Sequence, residues 1–306
     1  MTMKIKKGKF MENIKISQVC GLCGGCTRAI DTAIKEIENG NKVTIFKEIV
    51  HNKNVNLFLA NAGAKCEDNI ENLSSDSVAI IRAHGEPPET FEYLNEKGIE
   101  FRDCTCTNVA KIHNLVKEYS ESGYKIILIG KHKKSVHPEV FGTIGWSKTD
   151  VVLVESEEDI EKLKNLKNDK FYLVCQTTFN IKKTDELILE IQKVLSETKS
   201  ELIVNKSLCL AQKNINEFSA KLAKECDIMI VVGGKNSSNS LELFKNMKSI
   251  CPSIFIEDIN FYKEALIESD LTISKETKVG ITAGASTRKE ELVMLKELIE
   301  KDLNNK

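Results

Sequence analysis

The chain has 306 residues, more than a single hydrophobic core usually serves, so its length predicts two or three subdomains. Lys and Arg number 44 and Asp and Glu 45, a net charge of −1, which argues against the clustered basic surface of a nucleic-acid-binding protein. No apolar run is long enough to span a bilayer, and the Lys-rich first residues lack the apolar core of a signal peptide. The sequence therefore predicts a cytoplasmic protein without nucleic-acid or membrane partners.

Short apolar segments alternate along the chain with amphipathic segments of helical period. Such alternation predicts an α/β fold in which helices cover both faces of parallel sheets. The predicted strands are, in chain order, Ile14–Val19, Val43–Phe46, Val78–Arg82, Lys125–Ile129, Val151–Val154, Phe171–Cys175, Ile228–Val232, Ser253–Ile256 and Lys278–Thr282. The predicted helices are Arg28–Glu38, Pro88–Lys97, Val109–Ser122, Glu157–Leu166, Thr184–Glu197, Asn214–Glu225, Ser240–Ile250 and Lys289–Asp302.

Loops rich in small or polar residues follow many of these strands, and open α/β sheets bind ligands at that edge. The loops are Cys20–Cys26, His84–Gly85, Gln176–Thr178, Gly233–Ser240 and Ala283–Thr287. The loop at Gly233–Ser240 opens a helix, so we expect its backbone N–H groups and polar side chains to bind a phosphate group. It has neither the spacing of a P-loop nor that of a dinucleotide fingerprint.

Ten cysteines in a reducing compartment are core residues, reactive thiols or metal ligands rather than disulfides. We interpret four of them as buried or incidental thiols: Cys66, Cys175, Cys226 and Cys251. Cys26 lies four residues before Ile30, on the apolar face of a helix, and is interpreted as a core residue. Cys23 lies between Gly21 and Gly24-Gly25, where the backbone can fold closely around a bulky group.

Three cysteines fall near the start, one third and two thirds of the chain: Cys23, Cys106 and Cys209. Three subdomains could each deliver one thiolate to a shared centre. Three thiolates on a [4Fe–4S] cluster would leave one iron without a protein ligand and open to a substrate. Spacing alone leaves the structural interpretation of each cysteine open.

Histidines are the second group of candidate binding residues. Three of the five lie in predicted loops or at element ends beside small or turn-forming residues: His51, His84 and His137. Together with the Ser-rich loops they would suit a diphosphate, whose charge favours imidazole N–H donors. His113 and His132 have no such setting, and we predict that both lie on the surface.

Motifs distributed from Ile14 to Leu298 extend this pattern over nearly the whole chain. They are Gly21-Leu-Cys23-Gly-Gly25 with Arg28-Ala-Ile, Glu48-Ile-Val-His51-Asn52, Ala83-His84-Gly85, Asp103-Cys-Thr-Cys106, His137-Pro-Glu139-Val, Gln176-Thr-Thr178, Asn236-Ser-Ser-Asn-Ser240 and Thr282-Ala-Gly-Ala-Ser286. In this order the set resembles the 4-hydroxy-3-methylbut-2-enyl diphosphate reductase family, which completes the non-mevalonate route to isoprenoid precursors. Each motif alone is weak evidence, whereas the set in register is strong.

The resemblance implies three similar α/β subdomains in a trefoil around a central [4Fe–4S] cluster. On this basis the predicted subdomains are 14–106, which carries Cys23, then 107–205 and 206–298, with 1–13 and 299–306 as terminal extensions. The implied cluster ligands are Cys23, Cys106 and Cys209. The residues implied to bind the diphosphate or neighbouring groups of the substrate are His51, His84, His137, Thr177, Ser237, Ser238, Asn239 and Ser286.

The implied reaction removes the allylic hydroxyl of the substrate with two electrons and two protons, giving isopentenyl and dimethylallyl diphosphates. Glu139, linked through Thr177 or His137, is the implied proton donor, because hydroxide is a poor leaving group. The open iron would act as a Lewis acid. No flavin or nicotinamide motif is visible, so the electrons are expected from an external low-potential carrier of the ferredoxin or flavodoxin kind.

Two other functions are compatible with the same residues. One is a divergent relative that reduces another substrate, since Thr107, Gln212 and Arg288 stand where the family has Pro, Thr and Pro. Cys20 or Cys26 could also add a thiolate near the open iron and block that reaction. The other is an iron–sulfur electron carrier or redox sensor without turnover, which would not need a diphosphate-binding loop.

Overall fold

The structure is a computed structural model that describes residues 13–50, 52–166, 169–235, 237–285 and 287–305. Its strands are β1 (Ile14–Ile16), β2 (Val43–Phe46), β3 (Lys65–Glu67), β4 (Val78–Ile81), β5 (Phe101–Asp103), β6 (Lys125–Ile129), β7 (Val151–Val154), β8 (Lys170–Cys175), β9 (Glu201–Val204), β10 (Ile228–Val232), β11 (Ser253–Ile256) and β12 (Val279–Ala283). Its α-helices are α1 (Gly24–Glu38), α2 (Lys53–Ala62), α3 (Pro88–Glu96), α4 (Thr107–Glu121), α5 (Pro138–Gly145), α6 (Glu157–Ile160), α7 (Ile181–Glu197), α8 (Ala211–Ala223), α9 (Ser238–Lys248), α10 (Tyr262–Glu268) and α11 (Lys289–Asn304).

The described strands form three four-stranded sheets, in the orders β3-β2-β4-β5, β7-β6-β8-β9 and β1-β12-β10-β11. Neighbouring strands are parallel in every sheet. Parallel strands need helical crossovers, and these supply the helices between them. The predicted α/β class with parallel sheets is confirmed.

The chain divides into two compact units. The terminal unit consists of the described residues of Met1–Cys23, Val50–Leu57 and Leu210–Lys306, and contains the sheet β1-β12-β10-β11. The middle unit consists of the described residues of Gly24–Ile49 and Phe58–Cys209, and contains the other two sheets. The subdomain boundaries expected from the sequence stay a prediction.

The sheets are buried on both faces, as strands with continuous apolar runs require. In β10, Ile230 and Val232 pack into one core of the terminal unit, whereas Met229 and Val231 pack into another. The middle unit repeats this alternation in β6, whose successive side chains enter different cores. Each fully buried aliphatic side chain contributes about 2 kcal/mol of transfer free energy, so these strands form a firm support for the loops at their ends.

Candidate active site

The acid-base residues expected from the sequence follow strands of the middle unit. β6 and β8 are neighbours in one sheet, and Glu139 in α5 follows β6 while Thr177 follows β8. His84 follows β4 of the other sheet. Because parallel strands present their carboxyl ends at one edge, Glu139 and Thr177 meet although they are far apart in sequence.

The carboxyl group of Glu139 is almost completely buried, with 2% of the residue exposed. The backbone N–H of Thr177 donates to Oε1 of Glu139 at 2.5 Å, and the Thr177 hydroxyl donates to Oε2 at 2.8 Å. Burial raises the pKa of Glu139 to about 7, although the two hydrogen bonds from Thr177 act in the opposite direction. Glu139 can therefore hold and release a proton near neutral pH.

Thr177 joins this acid to one of the candidate cluster ligands. The backbone N–H of Cys209 donates to the carbonyl oxygen of Thr177 at 2.7 Å. The preceding Gln176 is fixed as well, since its side-chain oxygen accepts from the N–H of Lys131 at 3.0 Å and its amide donates to Thr178 at 2.8 Å. These bonds hold Thr177 in one position between Glu139 and Cys209.

Two of the predicted substrate-binding histidines lie side by side. The rings of His84 and His137 meet edge to face, with centroids 5.6 Å apart and an angle of 70° between the planes. His137 is the N-cap of α5, and its Nδ1 accepts the backbone N–H of Glu139 at 3.2 Å. A neutral imidazole that accepts at Nδ1 carries its proton on Nε2, which can then donate to an anion.

Each of the three cysteines predicted to bind the cluster stands at the beginning of a helix. Cys23 directly precedes α1, Cys106 is the N-cap of α4, and Cys209 precedes Leu210, the N-cap of α8. Helix N-termini carry partial positive charge, which stabilises thiolates and anionic clusters. The side-chain amide of Asn108, in the first turn of α4, donates to Sγ of Cys209 at 3.7 Å.

The lack of a side chain at Gly25 makes room for Cys106. A Cβ atom on Gly25 would lie 3.2 Å from Cβ and 3.3 Å from Sγ of Cys106, so a side chain there would require Cys106 to shift by a few tenths of an ångström. The backbone N–H of Cys106 donates to the carbonyl of Ala83 at 3.0 Å. The Arg28 guanidinium donates to the carbonyl of Thr105, the preceding residue. The first turn of α1 and the end of the loop after β5 therefore fix Cys106 jointly.

Several other cysteines have surroundings that disfavour a thiolate. Burial raises the pKa of Cys175 to about 12 and also raises the pKa of Cys104. Burial raises the pKa of Cys20 as well, and its thiol donates to the carbonyl of Ser17 at 3.1 Å. Cys26 lies half-buried in the first turn of α1. The bond within its own loop argues against Cys20 as an additional cluster ligand.

The candidate ligands fit an iron–sulfur cluster in their chemistry. Thiolates are the ligands that such clusters take, and the three cysteines are half-buried rather than enclosed in a core. Cys23 belongs to the terminal unit, whereas Cys106 and Cys209 belong to the middle unit. Among the described residues, no group of three or more His, Cys, Asp or Glu side chains could hold a metal ion. The ligand set stays a prediction.

The two loops predicted to bind phosphate pack against each other in the terminal unit. Ser237 is the N-cap of α9 and accepts the backbone N–H of Ser240 at 3.3 Å. Ser240 is completely buried, and a Cβ atom on Gly233 would lie 2.5 Å from its hydroxyl oxygen, while one on Gly284 would also collide with it. Asn239 lies half-buried on the first turn of α9. His51, Asn236, Ser286 and the side chain of Ser238 lie outside the described residues.

The three departures from the family pattern all lie at helix N-termini. Thr107 is the first residue of α4, a position that also accepts Pro, so this exchange fits the helix. Arg288 is the N-cap of α11, and its guanidinium lies 3.4 Å from Glu290. Gln212 is in the first turn of α8, and its side-chain oxygen is buried without a hydrogen-bond partner among the described residues.

Sequence reasoning misplaced one histidine near this site. His113, predicted on the surface, is buried: it stacks on Trp146 with centroids 5.4 Å apart, and burial lowers its pKa to about 4. Gly85 presses against it, since a Cβ atom there would lie 2.5 Å from Cε1 of the His113 ring. The helical period could have shown this, because His113 is placed between the buried Val109 and Val116 of α4.

A buried ion triad in the middle unit was also missed. Glu86, with 1% of its side chain exposed, pairs with Nε of Arg82 at 3.2 Å and with Nζ of Lys47 at 2.8 Å. We call Lys47, Arg82 and Glu86 the ion triad. The i,i+4 spacing of Arg82 and Glu86 on either side of Ala83-His84-Gly85 was the only signal in the sequence.

Fold and site together define an α/β protein with a buried carboxyl group of raised pKa, whose partner Thr177 is bonded to the backbone of Cys209. The family described as LytB protein matches residues 14–300, nearly the whole chain. The chain belongs to this family.

Relatives of the chain carry one common name. The 4-hydroxy-3-methylbut-2-enyl diphosphate reductase of Clostridioides difficile (strain 630) is 36% identical over 276 residues, which cover 90% of this chain and 94% of that protein. The reductase of the same name from Helicobacter pylori (strain P12) is 38% identical over 277 residues, with coverage of 90% and 94%. The chain is therefore an oxidoreductase.

Solved structures of the same enzyme share the fold. One structure of (E)-4-hydroxy-3-methyl-but-2-enyl diphosphate reductase, the terminal enzyme of the non-mevalonate pathway, has a TM-score of 0.77 and 32% identity, covering 94% of this chain and 99% of that one. A structure of the reductase from Plasmodium falciparum has a TM-score of 0.75 and 26% identity, covering 93% and 87%. No helix in the described ranges is long and apolar enough to cross a membrane.

Proposed function

We propose that this chain catalyses the reductive dehydroxylation of 4-hydroxy-3-methylbut-2-enyl diphosphate to isopentenyl and dimethylallyl diphosphates, at the open iron of a [4Fe–4S] cluster held by Cys23, Cys106 and Cys209. The names of the relatives support the substrate and the reductase activity. The observation that carries the chemistry is Glu139, a buried carboxyl group with a pKa of about 7 that Thr177 connects to the backbone of Cys209.

The buried acid supplies the proton that the leaving hydroxyl group needs. At neutral pH a large fraction of Glu139 is protonated, because burial raises its pKa to about 7. Once Oε2 carries the proton, it can donate to the Thr177 hydroxyl, which lies 2.8 Å away, and that hydroxyl can donate its own proton to the substrate. The backbone N–H of Glu139 donates to Nδ1 of His137, and the Nε2–H of that ring would bind the substrate through a hydrogen bond.

When bound, the cluster would supply a Lewis acid at the iron without a protein ligand and relay electrons from a ferredoxin- or flavodoxin-like donor. The chain's part is to hold the three thiolates at helix N-termini, where partial positive charge favours an anionic group. The reaction takes up two electrons and two protons and releases the hydroxyl group as water. A cytoplasmic location fits the reducing conditions that such thiols require.

Residues remote from the leaving hydroxyl group bind the diphosphate and orient the substrate. His84 and His137 offer N–H donors in the middle unit, and Ser237 and Asn239 offer polar groups at the N-terminus of α9 in the terminal unit. His51, Ser238 and Ser286 complete the proposed set. Binding energy from this non-reacting group positions the allylic carbon for the reaction.

One observation favours the alternative of a divergent relative that reduces another substrate. The side-chain oxygen of Gln212 is buried without a partner among the described residues, at a position where the family has Thr. An acceptor in that state is satisfied by a donor from a ligand or water. A pure electron carrier is less consistent with the site, since it has no use for a buried acid with a pKa of about 7.

Anaerobic turnover tests the proposed function directly. The protein is purified without oxygen, its cluster content is determined from iron and sulfide, and a reduced viologen dye supplies electrons. Addition of 4-hydroxy-3-methylbut-2-enyl diphosphate should oxidise the dye and yield both isoprenoid diphosphates by chromatography. A protein with an intact cluster that leaves the dye reduced would exclude this substrate, and turnover of other allylic diphosphates would then identify the divergent relative.

The ligand set has a matched control two residues away. Cys106→Ser should lose most of the iron and the visible absorption of the cluster, because a thiolate ligand is removed. Cys104→Ala should retain both, because its thiol is buried and not predicted to bind iron. Full iron content in Cys106→Ser, in folded protein of unchanged circular dichroism, would contradict the ligand set.

A further inference from the structure

In the ion triad, two cations, Arg82 and Lys47, pair with the deeply buried carboxylate of Glu86. The side chains of Glu86, Arg82 and Lys47 are 1%, 8% and 26% exposed, and each carboxylate oxygen of Glu86 has its own cationic partner. Burying such a charge costs several kcal/mol unless it is paired, so the partners cannot leave independently. With two cations to one anion, the triad also carries a surplus positive charge.

The triad closes the loop that presents His84. Arg82 and Glu86 lie at either end of this loop, and the N–H of Gly85 donates to the carbonyl of Arg82 at 3.1 Å. Gly85 adopts a left-handed conformation with φ of 75°, wedged against His113. The loop therefore has one backbone path, and the Arg82–Glu86 ion pair joins its two ends.

The helix that carries Glu139 packs on the same loop. A Cβ atom on Gly142 of α5 would lie 2.9 Å from the carbonyl oxygen of Gly85. The indole N–H of Trp146, directly after α5, donates to the carbonyl of Glu86 at 3.1 Å. A displacement of Glu86 would therefore change the position of His84 relative to α5.

Lys47 also contacts residues outside the loop that carries His84. It follows β2 with φ of 60°, a conformation rare for a residue other than glycine, and its N–H donates to the carbonyl of Glu67 at 2.9 Å. Its ammonium group also lies 5.7 Å from the ring centre of Phe141 in α5. Lys47 stands four residues before His51 in the sequence, so it begins the segment that leads to this predicted substrate ligand.

We propose that Glu86 is a positioning residue for anion binding: through Lys47 and Arg82 it holds the His84 loop against α5, so that the imidazoles of His84 and His137 face the diphosphate end of the substrate. This inference rests on the proposed function, because it takes those histidines as substrate ligands. Glu86 itself acts through its two cationic partners.

Positioning and direct attraction by the surplus charge make opposite predictions. Glu86→Gln removes the anion, leaves both cations and raises the local positive charge. If the cations attract the diphosphate directly, this variant binds anions more tightly. If the triad positions the histidines, it binds them more weakly, because an amide cannot hold two cations in place.

The experiment measures binding of inorganic pyrophosphate to the anaerobic holoenzyme by calorimetry, together with KM and kcat for the substrate. We expect both Glu86→Gln and Lys47→Met to weaken pyrophosphate binding and raise KM about tenfold, with a much smaller change in kcat. The double variant should be no weaker than the worse single variant, because the residues act through one another. Lys42→Met is the matched control: Lys42 pairs with exposed Asp76 at 2.7 Å at the other end of β2, and its loss should change neither value.

Tighter or unchanged pyrophosphate binding by Glu86→Gln would overturn the proposal. If Glu86→Gln does not fold, pyrophosphate binding by Lys47→Met and wild type is compared in high potassium chloride. A positioning role predicts that the difference in affinity persists there. Direct attraction predicts that the difference disappears, because the salt screens the charge of Lys47 in the wild type. Measuring both binding and turnover also tests the proposed reaction and the positioning role of Glu86 separately. Wild-type protein without turnover, in which the triad variants still weaken pyrophosphate binding, would refute the proposed reaction and retain the positioning role.

Discussion

Two buried glutamates of the middle unit have different hydrogen-bond and ion-pair partners. Glu139 and Glu86 have 2% and 1% of their surface exposed, so burial does not distinguish them. Among the described residues, the donors to the carboxyl oxygens of Glu139 are the N–H and O–H of Thr177, whereas the oxygens of Glu86 each face a cation. The neutral donors lower the pKa of Glu139 less than burial raises it, so its pKa is about 7.

This difference distinguishes the proposed proton donor, Glu139, from a carboxylate held in ion pairs, Glu86. A carboxyl group surrounded by neutral donors can take up a proton without leaving a charge unpaired. Glu86 instead has a cationic partner at each carboxylate oxygen, so its removal would leave Arg82 and Lys47 without their anion. The partners of a buried acid, rather than its burial, therefore distinguish the two glutamates and support the proposal that Glu139 is the proton donor.

The largest effect should come from removing the proton donor. Glu139→Gln keeps the size of the side chain but cannot donate the proton, so kcat should fall about 10² to 10⁴-fold. The measurement is anaerobic turnover at equal cluster content. Glu36→Gln is the matched control, since Glu36 is also buried but pairs with Arg102 at 2.6 Å, and it should keep its activity. Undiminished turnover in Glu139→Gln would remove Glu139 from the mechanism.

For stability we expect the opposite, namely that Glu86 matters more than Glu139. Glu86→Ala leaves Arg82 buried without its partner, and the free energy of unfolding should fall by about 3 to 5 kcal/mol. Glu139→Ala leaves no cation behind and should be less destabilising. Urea unfolding of both variants and the wild type at neutral pH, with equal cofactor content, measures the difference. Equal losses in the two variants would show that the triad is not what separates the two glutamates.

The pH dependence of stability tests the raised pKa of Glu139. The folded state binds the Glu139 proton more tightly than the unfolded chain, whose pKa is 4.5, against about 7 when folded. This contribution is complete below pH 4.5 and is lost as the pH rises through 7. Relative to Glu139→Gln, the wild-type free energy of unfolding should thus fall by about 2 to 3 kcal/mol between pH 5 and pH 8. If the difference in urea midpoint between wild type and Glu139→Gln is the same at pH 5 and pH 8, the pKa of Glu139 is not raised.

The smallest effect should come from the hydroxyl of Thr177. Thr177→Val keeps the backbone N–H bond to Oε1 but removes the donor to Oε2, so the pKa of Glu139 should rise further. Activity that depends on protonated Glu139 should then persist to higher pH, with kcat a fewfold lower if the hydroxyl passes the proton. Thr177→Ser, which keeps the hydroxyl, should retain the wild-type pH profile. A profile of Thr177→Val shifted to lower pH would contradict this role.

Part of the fold is visible in the sequence because central strands are short, continuous apolar runs. Lys125–Ile129 and Ile228–Val232 are predicted with the bounds that the structure has. The edge strands Lys65–Glu67 and Glu201–Val204 were missed, since their partly exposed residues lack that signal. The pairing of strands distant in sequence has no local signal at all.

Helix α5 was missed for a different reason. Pro138, Gly142 and Gly145 indicate a loop by propensity, yet Pro fits the first turn of a helix. The two glycines are required by tertiary packing, since side chains there would collide with Gly85 and Pro87. Close contact between elements thus overrides the local preference.

The site was predicted through motifs rather than through chemistry. Glu139 and Thr177 are predicted as site residues by resemblance, because nothing near Glu139 in the sequence indicates that its carboxyl group is buried. Its pKa depends on a partner 38 residues away. The role of Glu86 escaped the sequence for the same reason, since Lys47 lies 39 residues from it.

The parallel pairing of β1 with β12 has a consequence for the order of synthesis. Ile14–Ile16, among the first described residues to leave the ribosome, pairs with Val279–Ala283, among the last. The segment before Cys23 is also tied to that end, since the N–H groups of Gly21 and Leu22 donate to the carbonyls of Ala283 and Thr287 at 3.1 and 2.8 Å. All described strands of the middle unit have been synthesised by Val204. The backbone before Cys23, in contrast, cannot form these hydrogen bonds until Ala283 and Thr287 have been synthesised. If the proposed cluster uses all three thiolates, its insertion would have to wait until the chain has been synthesised as far as Thr287, and a nascent chain that stops earlier would lack the hydrogen-bonded backbone before Cys23.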